Sequence, residues 1–223
     1  MAITTTTQGI QNGACLSTAR PTNPYLGMVI FETDTNKMKV WLGSVWSDGF
    51  THVYTPPTFD YDSIATVTVG AGGQSTITFS SIPQTYKHLQ IRGIARTTTT
   101  TQDYLVYKPN NANLSARHLL YGNGATASSG GSTTIFDFGQ IPKSNDTASV
   151  FSVFVMDLLD YNDTSKFKTL RHLGGYDLNG SGQTILASGY YGSATAVTSL
   201  VITTYNSTNF AQYSSFALYG IKG

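Results

Sequence analysis

The sequence predicts an all-β protein, with an N-terminal extended arm and β-hairpin followed by a jelly-roll-like antiparallel β-sandwich. Eight or nine short segments of alternating apolar and polar residues follow residue 59, separated by turn residues at regular spacing. No segment has the periodicity of an amphipathic helix. Only 11% of the residues are charged, whereas Ser and Thr make up roughly a quarter. This composition suits short strands and turns, with an immunoglobulin-like sandwich as the second choice of topology.

Residues 1–18 are small, polar and Thr-rich, and alone they bury too little surface to fold. We expect an extended arm that is ordered only against a partner, with simple disorder as the open alternative. The start of the chain has no basic segment and no long apolar segment, so we expect neither a signal peptide nor membrane insertion. Cys15 is the single cysteine, which excludes an intrachain disulfide and a cysteine-based zinc cluster.

Residues 19–50 predict a β-hairpin module. An apolar run at 28–31, turn residues at 33–37 and an alternating segment at 38–42 follow one another, and a second turn precedes Trp46. A lone hairpin cannot bury two tryptophans, so this module needs cover from the rest of the chain or from copies of itself. The predicted anchoring and oligomerisation residues are Pro21, Pro24, Met28, Phe31, Trp41 and Trp46.

A stiff linker at residues 51–58, which contains a Pro-Pro pair, predicts the boundary of a C-terminal domain at 59–223. The segments from which these eight or nine strands are expected are 61–69, 75–79, 87–96, 103–107, 134–139, 149–160, 167–176, 184–191, 197–205 and 213–221, with a short apolar segment at 116–121. Segment 149–160 is the most apolar and predicts a central strand that is buried on both sides. Residues 122–133 predict a long surface loop, and the last segment ties the C-terminus into the sheet.

The hairpin module also resembles a segment that recurs in virion proteins of tailed bacteriophages. The matching pattern is Arg-Pro-x-x-Pro-x-x-Gly-Met-x-Ile-x-Glu-Thr-Asp-Thr at 20–35, followed by Gly-Ser-x-Trp at 43–46. Further along, residues 63–70, 77–83, 88–93, 157–161 and 211–221 resemble a C-terminal domain of phage tail or virion structural proteins. This resemblance implies a virion structural protein, of the tail-fibre or minor-tail-protein kind, and brings no catalytic residues with it.

Several classes of function find no support in the residues. The formal net charge is +1 without a basic run, which argues against nucleic-acid binding. The four histidines, His52, His88, His118 and His172, lack metal-ligand spacing, and His88 and His172 are predicted at outward or rim positions. We therefore expect no metal, no cofactor and no enzyme activity.

Two acidic segments are better explained by structural roles than by a catalytic site or a calcium site. Asp157, Asp160 and Asp163 lie close in sequence, but a glycosidase needs two carboxyl groups set apart across a cleft. The chain has a single Glu, Glu32, which is predicted in the hairpin turn. Residues 177–182 resemble half of a calcium loop without its final Glu, so a tight Gly-rich turn is favoured.

Four tyrosines are candidates for contact with a glycan: Tyr107, Tyr121, Tyr190 and Tyr191. Sugars are held by aromatic faces together with amide and hydroxyl groups, and this chain is rich in all three. Adjacent strand residues face opposite sides, so one of the pair Tyr190 and Tyr191 must face outward. Packing in the core or between subunits is the favoured alternative for these rings.

The sequence as a whole predicts a non-enzymatic phage virion protein, made in the host cytoplasm and assembled into the particle. The first expectation is a homotrimeric tail fibre, whose arm joins other virion proteins and whose sandwich contacts the host surface, with a surface glycan as candidate partner. The alternative is a capsid decoration protein or head fibre that binds only virion subunits. Exposed tyrosines around a concave face would favour the former, and broad apolar patches the latter.

Overall fold

The computed structural model describes residues 5–6, 9–10, 13–48, 60–134 and 136–223. The chain divides into two compact units, unit 1 at Met1–Thr58 and unit 2 at Phe59–Gly223. All regular structure in the described ranges is β-strand, which confirms the predicted fold class. Those ranges contain no helix that could cross a membrane. The predicted linker at 51–58, with His52, lies outside the described residues.

Unit 1 contains strands β1 to β6. They are β1 (Thr5–Thr6), β2 (Gly9–Ile10), β3 (Gly13–Cys15), β4 (Val29–Glu32), β5 (Lys37–Trp41) and β6 (Trp46–Asp48). β1 pairs with β2, and the other four form a sheet in the order β3-β4-β5-β6. The hairpin β4–β5 is confirmed, and Asn36 in its turn has a φ of 56°, as short polar turn residues allow. Part of the expected arm is instead a strand, because β3 pairs in parallel with β4 of the same unit.

Unit 2 contains twelve strands in two sheets. They are β7 (Tyr61–Thr68), β8 (Thr76–Phe79), β9 (His88–Ala95), β10 (Asp103–Pro109), β11 (Ala116–Gly122), β12 (Ala127–Ser132), β13 (Asp137–Ile141), β14 (Ser152–Leu159), β15 (Lys168–Asp177), β16 (Gly182–Tyr191), β17 (Leu200–Thr204) and β18 (Ser215–Ile221).

The large sheet has the order β12-β11-β16-β15-β14-β9-β18-β7, and the small sheet β13-β10-β17-β8. All their pairings are antiparallel, and one apolar core is drawn from both sheets, as in a β-sandwich. The jelly-roll connectivity is not confirmed. The C-terminal strand β18 lies between β9 and β7, as expected.

Two local expectations were wrong. The predicted loop at 122–133 contains β12, which has no large apolar residue and forms because it pairs with β11 from Arg117 to Gly122. The central strand β14 is not buried on both sides, since Val153 is 60% exposed on its outer face. Gln90 lies on the same outer face of β9 as the exposed Ile94, but it is covered there, where its amide donates to Asp157 at 2.7 Å and its carbonyl accepts from Arg92 at 2.6 Å.

A histidine expected at the rim lies in the core instead. His172 is 1% exposed, and its Nδ1 lies 2.9 Å from the hydroxyl of Tyr107, which is also fully buried. The rings of Phe138 and Phe154 pack against it, with the Phe154 ring nearly parallel at a centroid distance of 5.9 Å. Burial lowers the pKa of His172 to about 3 and raises that of Tyr107, so both groups stay neutral around pH 7.

Candidate binding cleft

A groove with a volume of about 960 Å³ lies on the outer side of the large sheet in the described part of unit 2, and we call it the end cleft. Its floor includes Val153 of β14 and Leu173 and Gly175 of β15. One wall is the β11–β12 turn at 123–126, and the other is the β15–β16 turn at 178–181. Loops at one end of a rigid sandwich are a common place for binding sites, because the scaffold holds them in position.

Both turns are held by their own side chains. The Asn123 Oδ1 accepts hydrogen bonds from the backbone N–H groups of Ala125 at 3.0 Å and Thr126 at 2.8 Å. The Asp177 Oδ1 accepts from the N–H of Asn179 at 2.6 Å. Residues 177–182 thus form a tight hairpin turn, as predicted, in which Gly180 has a φ of 112° that few other residues adopt.

A second cavity of about 400 Å³ adjoins the end cleft and shares the β15–β16 turn with it. It is more polar, and its lining includes Gln102, Gln140, Lys143 and Asp146. The Tyr176 hydroxyl, which borders both spaces, donates to the Gln140 Oε1 at 2.9 Å. Together the two adjoining cavities offer apolar residues in the end cleft and polar residues in the second cavity.

Arg96 holds the loop that carries the polar end. Its guanidinium donates to four backbone carbonyls of that loop: Thr147 and Val150 at 2.8 Å, Asp146 at 2.9 Å and Ser144 at 3.2 Å. Arg96 is 8% exposed. A planar guanidinium can satisfy several carbonyls at once, so this one buried side chain sets the shape of residues 144–150.

The outer face of the large sheet also carries an aliphatic stripe, consisting of Leu120, Leu186, Leu173, Val153 and Ile94. Leu120 pairs directly with Leu186, and Leu186 with Leu173, so the three leucines are cross-strand neighbours. Val153 pairs with Ile94 on the next two strands. All five are between 39% and 60% exposed. A contiguous apolar stripe of this kind is typical of a surface that meets another molecule.

The four candidate tyrosines do not form one site. Tyr107 lies in the core, and Tyr191 is 9% exposed and belongs to the same core, so the proposal of glycan contact is wrong for these two rings. Tyr121 is half-buried against the core. Only Tyr190 faces outward, as strand alternation requires of one member of the pair.

An aromatic pair on the surface was missed from the sequence. Phe167, which is 57% exposed, lies with its ring nearly parallel to that of Tyr190, with centroids 6.1 Å apart. Leu159 is exposed on the neighbouring strand of the same sheet face. The alternation of β16 identified Tyr190, but Phe167 precedes β15 in a loop and gives no periodic signal.

The six residues predicted for anchoring are all half-buried within unit 1. The rings of Trp41 and Trp46 cover each other at a centroid distance of 5.4 Å. The exposed apolar side chains around the β5–β6 turn are instead Tyr25, Leu26, Leu42 and Val45, at 55–74% exposure. We call these four the unit-1 apolar tip. Alternation in the sequence puts Leu42 on the same face as Met38 and Val40. It does not show which face of the hairpin is covered and which is exposed.

Arg20 and Thr35 both contact Glu32 within the segment 20–35 of unit 1. Glu32 is fully buried at the end of β4 rather than in the turn, and it accepts hydrogen bonds from the Arg20 Nε at 2.6 Å and the Thr35 hydroxyl at 2.7 Å. Burial raises the pKa of Glu32, but these bonds outweigh it and hold the pKa below its usual range. The motif residues therefore stabilise a fold in which Ile30 is the one fully buried apolar side chain among the described residues of the unit.

Replacing Glu32 with Gln is expected to loosen unit 1 without affecting unit 2, because Arg20 loses its ionised partner at a buried site. Limited proteolysis should cut within residues 13–48 about tenfold faster than in the parent protein, since cleavage follows the population of the open form. Asp48→Asn is the control, because Asp48 is half exposed and its pairing with Lys37 and Lys39 lies at the surface. Equal cleavage rates for E32Q and the parent would contradict this role.

The acidic cluster of unit 2 is used in ion pairs. Asp157 pairs with Arg171 at 2.7 Å, and Asp160 pairs with Lys166 and Lys87. The hydrogen bonds from Lys166 and Lys87 lower the pKa of Asp160 to about 2. Among the described residues, no group of three metal-ligating side chains comes together.

In comparisons with known proteins, no family model, no curated protein and no solved structure matches this chain.

Proposed function

We propose that this chain is a non-enzymatic structural protein of a tailed-phage virion, in the form of a trimeric tail fibre or similar appendage. Unit 1 anchors it to other virion proteins, and the β-sandwich of unit 2 contacts the host surface. The assignment to a virion rests on the resemblance of residues 20–46 and of the C-terminal segments to phage structural proteins. The contact role rests on the end cleft, which is open, held by rigid turns and large enough for a ligand.

Symmetry would make weak contacts sufficient for attachment. Three copies of unit 2 held by one anchor present three end clefts, and each binding event raises the effective concentration of the others. A single cleft can then have low affinity while the assembly stays bound. The appendage needs no chemistry of its own at the host surface.

The aliphatic stripe favours a second candidate, a capsid decoration protein or head fibre that binds only virion subunits. Three of its five residues are cross-strand leucines, and aliphatic side chains of this kind are more suited to a protein surface than to a sugar. Two of the four candidate tyrosines are buried, which removes part of the support for host contact. Binding of the purified protein to host cells supports the appendage, whereas binding only to phage particles that lack it supports the decoration protein.

The oligomeric state is the first property to measure. Light scattering at several concentrations is expected to give about 72 kDa, three times the 24.0 kDa chain. Exchange of Leu26 and Leu42 in the unit-1 apolar tip for serine should dissociate the trimer, because these side chains are exposed in the single chain and need cover. Trp41→Ala with Trp46→Ala should also weaken the assembly.

Leu120→Ser in unit 2 is the matched control, since it removes an equally exposed leucine far from unit 1 in sequence. It should leave the trimer intact. A monomer at all concentrations, or a trimer that is unaffected by the changes in unit 1, would show that unit 1 does not form the interface between copies.

A further inference from the structure

We propose that the end cleft is a binding site for a neutral oligosaccharide. This inference rests on the proposed function and gives it a site and a ligand class. It also replaces the four candidate tyrosines as the site of glycan contact, because Tyr107 and Tyr191 are buried.

The size of the end cleft fits a ligand of a few sugar rings. Its volume of about 960 Å³ lies at the upper end of the range that is usual for small-molecule sites, and the polar cavity beside it extends the space further. Gly175 belongs to the lining of the end cleft and pairs with Thr184 where β15 and β16 meet. A Cβ at this position would come within 2.4 Å of the Gln183 carbonyl oxygen, so the close approach of β15 and β16 requires glycine.

The lining offers polar groups that no protein atom uses. The Nδ2 of Asn123, the hydroxyls of Ser181 and Thr184, and the Nε2 of Gln183 all border the end cleft. Within the described ranges, none of these four atoms makes an intramolecular hydrogen bond, although Asn123 and Gln183 use their carbonyl oxygens. Amides and hydroxyls above an apolar floor match the alternation of hydroxyl groups and C–H faces on a sugar ring.

The charge of the lining favours a neutral ligand. Asp177 is the single ionisable acid or base with a charge at pH 7 among the residues around the end cleft, all of which the structure describes. No Lys or Arg lines the end cleft itself, and Lys143 in the adjoining cavity already pairs with Asp146 at 3.7 Å, so an acidic sugar would meet the Asp177 carboxylate without an unpaired cation to balance it. The carboxylate can accept hydrogen bonds from sugar hydroxyls.

The walls are already in place before a ligand arrives. The Asn123 and Asp177 side chains fix the two turns, and the Leu178 N–H donates to the Ser181 carbonyl at 2.7 Å across the second turn. A site whose loops are ordered in advance loses less conformational entropy on binding. This matters for a sugar, whose individual contacts are weak.

The test uses the full-length protein on an array of neutral and acidic oligosaccharides, followed by calorimetry with the best neutral trisaccharide or tetrasaccharide. We expect binding to neutral glycans and weaker binding to acidic ones. Val153→Arg should reduce the affinity at least about tenfold, because it places a long charged side chain on the cleft floor. Thr184→Ala, which removes one free hydroxyl, should reduce it by a smaller factor.

Leu186→Arg is the matched control. Leu186 belongs to the same aliphatic stripe and is similarly exposed, but it does not line the end cleft. L186R should leave the affinity for the glycan within about twofold, and thermal unfolding should show that both arginine variants fold. If L186R and V153R weaken binding equally, the sugar binds to the stripe and the proposed site is wrong.

Failure of this inference can be told apart from failure of the proposed function. Absence of binding to every neutral glycan on the array, with host-cell binding intact, overturns the ligand class and leaves the appendage role in place. Loss of cell binding by L186R but not V153R assigns the host contact to a protein partner on the part of the stripe that lies outside the end cleft. Absence of the protein from purified virions overturns the proposed function itself.

Discussion

Replacing Arg96 with Met is expected to lower the free energy of unfolding of unit 2 by on the order of 3–5 kcal/mol. The guanidinium of this buried side chain donates to four backbone carbonyls between Ser144 and Val150, and the thioether of Met can donate to none of them. The carbonyls would be left without their charged partner, and the loop that carries Lys143 and Asp146 would lose its fixed shape. Urea unfolding followed by fluorescence and far-ultraviolet circular dichroism would measure the change.

Two further variants distinguish the contribution of the four Arg96 hydrogen bonds from the contribution of its positive charge. Arg96→Lys keeps the charge but cannot span four acceptors, so its loss of stability should lie between those of the parent and R96M. Arg171→Met removes a guanidinium whose side chain is 69% exposed and should cost less than about 1 kcal/mol. A loss in R96M no larger than that in R171M would show that the loop does not depend on Arg96.

Acidification below pH 6.5 is expected to destabilise unit 2 through His172. Burial lowers the pKa of this imidazole to about 3 in the folded protein, whereas the unfolded chain takes up a proton near its ordinary value of about 6.5. Between these two values the unfolded state binds the extra proton, so stability falls as the pH falls. The slope approaches 1.4 kcal/mol per pH unit, and the total reaches about 5 kcal/mol near pH 3.

The matched variant is His172→Gln, which keeps a polar group near the Tyr107 hydroxyl but does not titrate. The difference in unfolding free energy between the parent and H172Q, measured from about pH 7 to 4.5, isolates the histidine, because every other titrating group is present in both proteins and its contribution cancels. The parent should lose its advantage over the variant steadily across this window. A pH-independent difference would mean that His172 is protonated in the fold or not buried as described.

These two predictions concern the side chains of Arg96 and His172, which are buried at positions where the sequence predicted no buried polar group. Arg96 directly follows β9, a strand that the sequence predicted, but its four acceptors lie about fifty residues further along the chain. Within β15, His172 lies on the opposite face from Thr169 and Arg171. The sequence alone does not show which of these two faces packs against the small sheet. A histidine on the inner face could have been suspected from its parity with Leu170, which is also buried.

The sequence by itself determined the strand pattern, the turns and the fold class. Alternation with a period of two is local, so β7, β9 and β18 could be located from their own residues. Asn, Asp and Gly at 34–36 and 177–182 marked turns because their backbone preferences are equally local. The same holds for the hairpin of unit 1, although not for the burial of Glu32 by Arg20.

Only the tertiary structure decided which strands meet and which faces are covered. β12 has the composition of a loop, and it is a strand because the free edge of β11 offers a ladder of hydrogen bonds. The end cleft combines residues from 123, 153, 173 and 184, whose approach depends on strand register rather than on any segment alone. Register and sheet order come from contacts between distant residues, and a shift by one residue would turn Tyr107 out and Tyr190 in. That non-local dependence is the reason why the burial of Tyr107 and Tyr191 and the position of the end cleft could not be predicted from the sequence.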